Sequence, residues 1–421
     1  MSLPTTFTSL PATQQQDKGF TESGLRRLRA VLDRHVESKK IPGLVALVSR
    51  GGRTHVEALG TMRHDGGAPM ERDTVFRMAS TSKPVTMAAA MVLLDECRIR
   101  LDDPVQEWLP ELADRQVLRT VDSPLDDTVP ARRPITVRDV LTSTFGLGMD
   151  MTALGKPIMN AVFENGLTPD LPVPMPEPDE WIRRLGTLPL MHQPGERWQY
   201  HISSDLVGVL VARVSGRSFG EFLDERIFGP LGMRDTGFHV PADRLDRLPT
   251  LYAPDPGTGE FTVWDAPEDG RWSSAPAFQG GGGGLVSTAD DFHAYFRMLL
   301  NGGVHGSERI LSRAAVELMT TNRLLPEQQA ARSTLARDNV HLSYGQGQHG
   351  GWGLGMAVRT YRGDYAPVGQ FGWDGGSGVS SYADPVHGVT GLLLTQVGMS
   401  VPHSAHLIHD FWTTVYQALE D

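Results

Sequence analysis

Between Phe20 and Ser38, charged and apolar positions follow a helical spacing, with Leu25, Leu28, Leu32 and His35 along one side. The period then shortens. Leu44-Val45-Ala46-Leu47-Val48-Ser49 and His55-Val56-Glu57-Ala58-Leu59-Gly60, separated by Gly51-Gly52, predict a hairpin with a glycine turn. Val85-Thr86-Met87-Ala88-Ala89-Ala90-Met91-Val92-Leu93-Leu94 reads as a helix, ending near Arg98, whose small residues let other elements approach closely. Shorter helices are predicted over Val105–Leu109, a capped Ile135–Thr142, Glu180–Leu188, from Leu206 onward, and Phe219–Ile227.

After Gly280 the character changes again. Five consecutive glycines, Gly280 to Gly284, precede Ser287 and Thr288, either of which would cap a helix over Asp290–Leu300. Strands are predicted over Gly353–Arg359, Gly378–Ala383 and Val389–Val397, and a closing helix over Pro402–Leu419. The expected architecture is α/β in the α+β sense, with an antiparallel sheet built from both ends of the chain and flanked by helices. Residues 1–75 and 271–421 would form the sheet-containing domain, and residues 76–270 an inserted, mostly helical one. Residues 149–180 carry six prolines. They read as a long loop, a lid or pocket wall.

Composition narrows the function. With 40% hydrophobic and 21% charged residues over 421 positions, the chain is an ordinary globular protein with one or two cores. A net charge of −11 and the lack of a Lys/Arg run speak against a nucleic-acid partner. Met1 to Gln16 is Thr/Gln/Pro-rich without a secretory pattern, and no run reaches membrane-spanning length, so a cytoplasmic protein without a membrane partner is expected. The single cysteine, Cys97, is expected to be a small buried residue.

Candidate chemistry begins at Met78-Ala79-Ser80-Thr81-Ser82-Lys83-Pro84. Ser80 and Lys83 are three apart and would share a helix face at its N-terminal end, where unpaired N–H groups and the helix dipole favour an oxyanion. A lysine in apolar surroundings gives up its proton more readily, and Lys83 would then take the serine proton. Tyr200, in Pro194-Gly195-Glu196-Arg197-Trp198-Gln199-Tyr200, stands at a loop-to-helix corner and would relay a proton to a leaving group; a core tyrosine is the plainer alternative. Phe371-Gly372-Trp373-Asp374-Gly375-Gly376-Ser377-Gly378 would run along a sheet edge and offer a second oxyanion donor, or simply turn a hairpin.

Taken together, these three stretches resemble the serine hydrolases that share a fold with class C β-lactamases and penicillin-binding proteins. The resemblance covers about residues 20–420 and includes Leu101-Asp102-Asp103-Pro104, Ile135–Leu147 and Gly280–Thr288. It implies a β-lactamase/transpeptidase-like fold, Ser80 as nucleophile, Lys83 and Tyr200 as the proton-transfer pair, and Gly376 N–H beside that of Ser80 in the oxyanion hole. Two departures matter. The usual Tyr-x-Asn reads Tyr200-His201-Ile202, and the usual Lys-Thr-Gly or His-x-Gly reads Trp373-Asp374-Gly375, as in family VIII carboxylesterases. Trp373, Gly375 and Ile202 would then line a pocket without a cation for a carboxylate, unless Arg183, Arg184 or Arg271 enters it.

A rival nucleophile is Ser218, in the G-x-S-x-G sequence Gly216-Arg217-Ser218-Phe219-Gly220. That elbow needs a strand before it, whereas the preceding run reads as a helix; Ser218 and Glu221 fit a capping box better. The expected activity is hydrolysis of a small-molecule carboxylic ester through an acyl-serine. β-Lactamase, D-amino-acid peptidase or acyltransferase activity of the same fold, or an inactive binding module, are the alternatives. No cofactor or metal is implied, because the histidines lack ligand spacing; the oligomeric state is left open.

Overall fold

Leu44, Ala46 and Val48 of strand β1 (Gly43–Arg50) belong to one buried cluster, and Val45 and Leu47 to another. Alternate side chains of a strand point to opposite faces. A strand covered on both faces therefore reads as the continuous apolar run seen in the sequence. The computed structural model describes residues 18–168, 174–255, 257–338, 350–399 and 402–420. The Thr/Gln/Pro-rich start, and Pro169 and Pro172 of the proline-rich stretch, lie outside these residues.

β1 is central to an eight-stranded antiparallel sheet. β2 (Arg53–Arg63) and β3 (Gly66–Pro69) come from its own end of the chain; β4 (Gly350–Trp352), β5 (Ala357–Arg359), β6 (Phe371–Gly375), β7 (Val379–Asp384) and β8 (Val389–Thr395) come from the other. The order is β4-β5-β6-β7-β8-β1-β2-β3, with Leu44 opposite Thr395 on β8 and Leu59 on β2. Of the strand expected over Gly353–Arg359, Ala357–Arg359 is β5, while its first half is the turn between β4 and β5. Gly353 N donates to Met356 O over 2.9 Å. Gly355 takes φ +70°, and a Cβ there would lie 2.7 Å from Lys83 O, so only glycine lets this turn rest on the backbone at Lys83. β6 is interior rather than an edge, yet β5 pairs only with its Phe371 and Gly372. Trp373, Asp374 and Gly375 are paired on the β7 side alone.

Eight helices matter here: α1 (Glu22–Glu37), α2 (Ser82–Asp95), α3 (Pro157–Glu164), α4 (Pro178–Thr187), α5 (Ile202–Ser215), α6 (Phe219–Leu223), α7 (Ala289–Leu300) and α8 (Pro402–Gln417). Thr21 caps α1 by accepting from Gly24 N over 3.0 Å. Leu28 and Leu32 of α1 and Phe411 and Val415 of α8 cover the Leu44 face of the sheet. On the other face, α2 and α7 join the larger core. Every residue of α2 from Ser82 to Leu93 is buried, which explains its lack of a polar stripe.

Two local expectations change. Cys97 is exposed, at φ +56° just beyond α2. Cys97 N donates to Leu94 O and Arg98 N to Leu93 O, the pairing of a helix-ending Schellman turn, with cysteine where glycine is commoner. The proline-rich stretch contains α3, which the sequence reading missed. Pro157 and Pro178 both stand in the first turns of helices, where a missing N–H leaves no bond unmade. Among the described residues, no helix is long and apolar enough to cross a membrane.

Candidate active site

Ser80 lies in a single 3₁₀ turn, Ala79–Thr81, ahead of α2 rather than on its first α-helical turn. Thr81 Oγ1 donates to Met78 O (2.6 Å), and Met78 N donates to Leu285 O (2.8 Å), which ties the turn to the glycine loop. Ala79 is held at φ +44°, a sparsely populated conformation for a residue with a Cβ. Ser80 is half-buried and Lys83 is 1% exposed.

The surroundings of Lys83 are not the apolar ones expected. Its Nζ is 3.0 Å from Ser80 Oγ, 3.2 Å from His201 Nδ1 and 2.5 Å from Gly282 O. The Tyr200 ring centroid lies 4.7 Å away. Gly282 O reaches the lysine because the glycine loop passes between α2 and α5. Thr86 Oγ1 donates to Gly281 O (2.7 Å), Gly282 N donates to Asp205 Oδ1 (2.8 Å), and a Cβ on Gly281 would sit 2.4 Å from Ser204 O.

Tyr200 is half-buried, and its hydroxyl accepts from Trp373 Nε1 over 2.8 Å. A phenolate at that oxygen would keep this donor, which stabilises the charged form. Trp373 is only 8% exposed and packs edge-on against Trp352 at 4.9 Å. It thus presents an N–H to Tyr200 rather than the open apolar surface expected of it. Gly375 abuts the turn that carries Ser80, since a Cβ there would lie 2.6 Å from Met78 O. Gly376 follows and is exposed. Ile202 does not line a pocket: it is fully buried at the start of α5, inside the large core.

Ser218 caps α6, accepting from Glu221 N while the Glu221 carboxylate accepts from Ser218 N: the capping box, not an elbow. Arg183 and Arg184 pair with Glu180 at the surface, and Arg271 stacks 5.1 Å over Trp272. Three further residues escaped the sequence reading. His201 and Asp205 sit behind Lys83, and Arg332 lies buried over Trp198 (5.3 Å) and Trp352 (5.9 Å). Burial pushes the Arg332 guanidinium down to about 10. A G-x-S-x-G or S-x-x-K search has no term for any of them; the helical offset between His201 and Asp205 was the available signal.

Residues 28–407 match the Beta-lactamase family. The chain belongs to that family. It is 39% identical over 357 residues to Protein Rv1367c of Mycobacterium tuberculosis (strain ATCC 25618 / H37Rv), covering 82% of this chain and 83% of that one. Over 398 residues it is 29% identical to Esterase EstB of Burkholderia gladioli, covering 89% and 92%. The solved structure of EstCE1, a hydrolase with promiscuous acyltransferase activity, superimposes with a TM-score of 0.76 at 26% identity, covering 94% of this chain and 99% of that one. The fold is thus β-lactamase/transpeptidase-like, as the motifs implied. Members of the family are serine hydrolases and acyltransferases, and esterases are among the relatives of this chain.

Proposed function

We propose that this protein hydrolyses small neutral carboxylic esters through an acyl-serine. The observation that carries the reading is the Lys83 amine 3.0 Å from Ser80 Oγ, with its other contacts at His201 Nδ1 and Gly282 O. Ser80 Oγ attacks the ester carbonyl and Lys83 takes its proton. The N–H groups of Ser80 and Gly376 receive the oxyanion, an arrangement in which one donor contributes about 3 kcal/mol. As the tetrahedral intermediate collapses, the Tyr200 hydroxyl gives its proton to the leaving alkoxide, and the Trp373 N–H supports the phenolate left behind. Water, deprotonated by the same pair, releases the acid and restores Ser80. The esterases among the relatives support this choice over amide or β-lactam substrates.

The test is a panel of p-nitrophenyl esters, nitrocefin and a D-Ala-D-Ala peptide, run beside labelling with a fluorophosphonate probe. Labelling at Ser80 with turnover of the short-chain esters is the expected result. An unlabelled protein that turns over none of the panel would be a binding module, and the reading would fail.

A further inference from the structure

His201 is the central residue of a γ-turn at φ +78°, ψ −69°, closed by Ile202 N donating to Tyr200 O over 3.2 Å. A residue with a Cβ rarely takes that conformation, and strain of this kind persists only where the surroundings impose it. The turn aims the imidazole between two buried groups. Nδ1 lies 3.2 Å from Lys83 Nζ, and Nε2 faces Asp205 Oδ2 at 3.4 Å. Among the described residues, neither Nε2 nor Oδ2 has a hydrogen-bond partner. His201 is 6% exposed, Asp205 not at all. A Cβ on Gly282 would lie 3.1 Å from Nε2, so the glycine leaves room for the ring against the carboxylate.

A neutral amine has two N–H donors and one lone pair. Gly282 O can only accept, so one N–H of Lys83 is committed to it. If His201 Nδ1 also accepts, the second N–H is committed and the lone pair is left toward Ser80 Oγ. If Nδ1 carried the proton it would donate to that lone pair, and the base would be blocked. The Asp205 carboxylate, held by Gly282 N on its other oxygen, favours the proton on Nε2 and therefore an accepting Nδ1. We propose that His201, biased toward its Nε2–H tautomer by the facing Asp205 carboxylate, is a positioning residue that turns the Lys83 lone pair onto Ser80. It stands where the departure from Tyr-x-Asn would otherwise leave the lysine unsupported. The charged or titratable groups facing the ring are Lys83 from α2, Asp205 from α5 and the edge of Tyr200 at 5.8 Å; the glycine loop presents only backbone.

This rests on Ser80 and Lys83 being nucleophile and base, so wild type and Ser80→Ala are first compared for fluorophosphonate labelling and p-nitrophenyl butyrate turnover. No Ser80-dependent labelling would overturn both ideas. Given labelling, His201→Gly relaxes the strained turn, so its melting temperature should not fall, while kcat and labelling rate drop about 10- to 100-fold, as for outer-shell groups that fix a tautomer. His201→Asn places a non-titrating acceptor near Nδ1 and should recover most of the rate. Asp205→Asn should slow the wild type but add little in the His201→Asn background. A His201→Gly variant at the wild-type rate, or an Asn variant as slow as the Gly one, would overturn the positioning role alone.

Discussion

The Trp373 indole donates its only N–H to the Tyr200 hydroxyl, 2.8 Å away, across the gap between β6 and the loop ahead of α5. A donor on the oxygen that becomes negative during proton transfer is worth about 1.5–3 kcal/mol. Trp373→Phe should therefore lower kcat about 10- to 100-fold. In a Tyr200→Phe background the same change should cost almost nothing. Steady-state kinetics of the four proteins check this; an equal loss in both backgrounds would make Trp373 a packing residue.

Ser80→Ala should reduce ester turnover at least about a thousandfold while leaving stability within about 1 kcal/mol, since a hydroxyl is removed and little cavity is made. Ser218→Ala should leave turnover unchanged and destabilise by about 1 kcal/mol through loss of the α6 cap. Urea unfolding and kinetics on both variants separate the two serines.

Lys83 and Tyr200 should behave as one unit, because the amine sits over the phenol ring. Single losses in Lys83→Ala and Tyr200→Phe would each approach that of the double variant. Losses that simply add in the logarithm would mean the two groups act in separate steps.

Two buried groups should give stability opposite dependences on pH. Burial pushes His293, whose Nδ1 lies 2.9 Å from Thr390 Oγ1, from 6.5 down to about 4. The unfolded chain binds that proton first, so the contribution is complete above about pH 6.5 and is lost as pH falls toward 4, roughly 3 kcal/mol in full. Burial raises Asp374, which accepts from Tyr382 Oη, from 3.8 to about 6. Here the folded chain holds the proton, and stability falls as pH rises between those values, by a similar amount on the order of 3 kcal/mol. His293→Gln should flatten the acid-side loss and Asp374→Asn the other. Unfolding free energies at pH 4.5 and 7 measure both slopes, and unchanged slopes would refute the assignment.

Neutral short-chain esters should be preferred over nitrocefin by about a hundredfold or more in kcat/KM, on the order of 3 kcal/mol. A carboxylate needs paired donors to offset its desolvation. Trp373 N–H is engaged with Tyr200, Arg183 and Arg184 are engaged with Glu180, and Arg332 is buried against two tryptophans. Comparable kcat/KM values would mean that the departures from the family motifs do not set specificity.

What could be read from the chain alone was whatever local chemistry determines. The capping pair Ser218–Glu221, the hairpin at Gly51-Gly52 and the Ser80–Lys83 spacing all act within a turn or two of sequence. Ile202 was misplaced because a motif gives an order of residues and not a direction. The γ-turn at His201 rotates the next residue into the core and brings His201 itself to the lysine. Arg332 was invisible because nothing in the sequence around it announces that Trp198 and Trp352 fold over it. The hidden helix α3 had the wrong punctuation: its proline starts the helix instead of breaking it.

The pairing of β1 with β8 has a consequence for how the molecule is made. At 5–20 residues per second, the ribosome delivers β8 roughly 17–70 s after β1. Through that interval the β1–β2 hairpin has an unpaired strand edge, and its Leu44 face lacks the cover of Phe411 and Val415, a surface open to wrong partners. β6 belongs to the same late stretch. A nascent chain that already carries Ser80, Lys83 and Tyr200 has no Trp373 to hold the phenol, so the proposed chemistry would wait for β6.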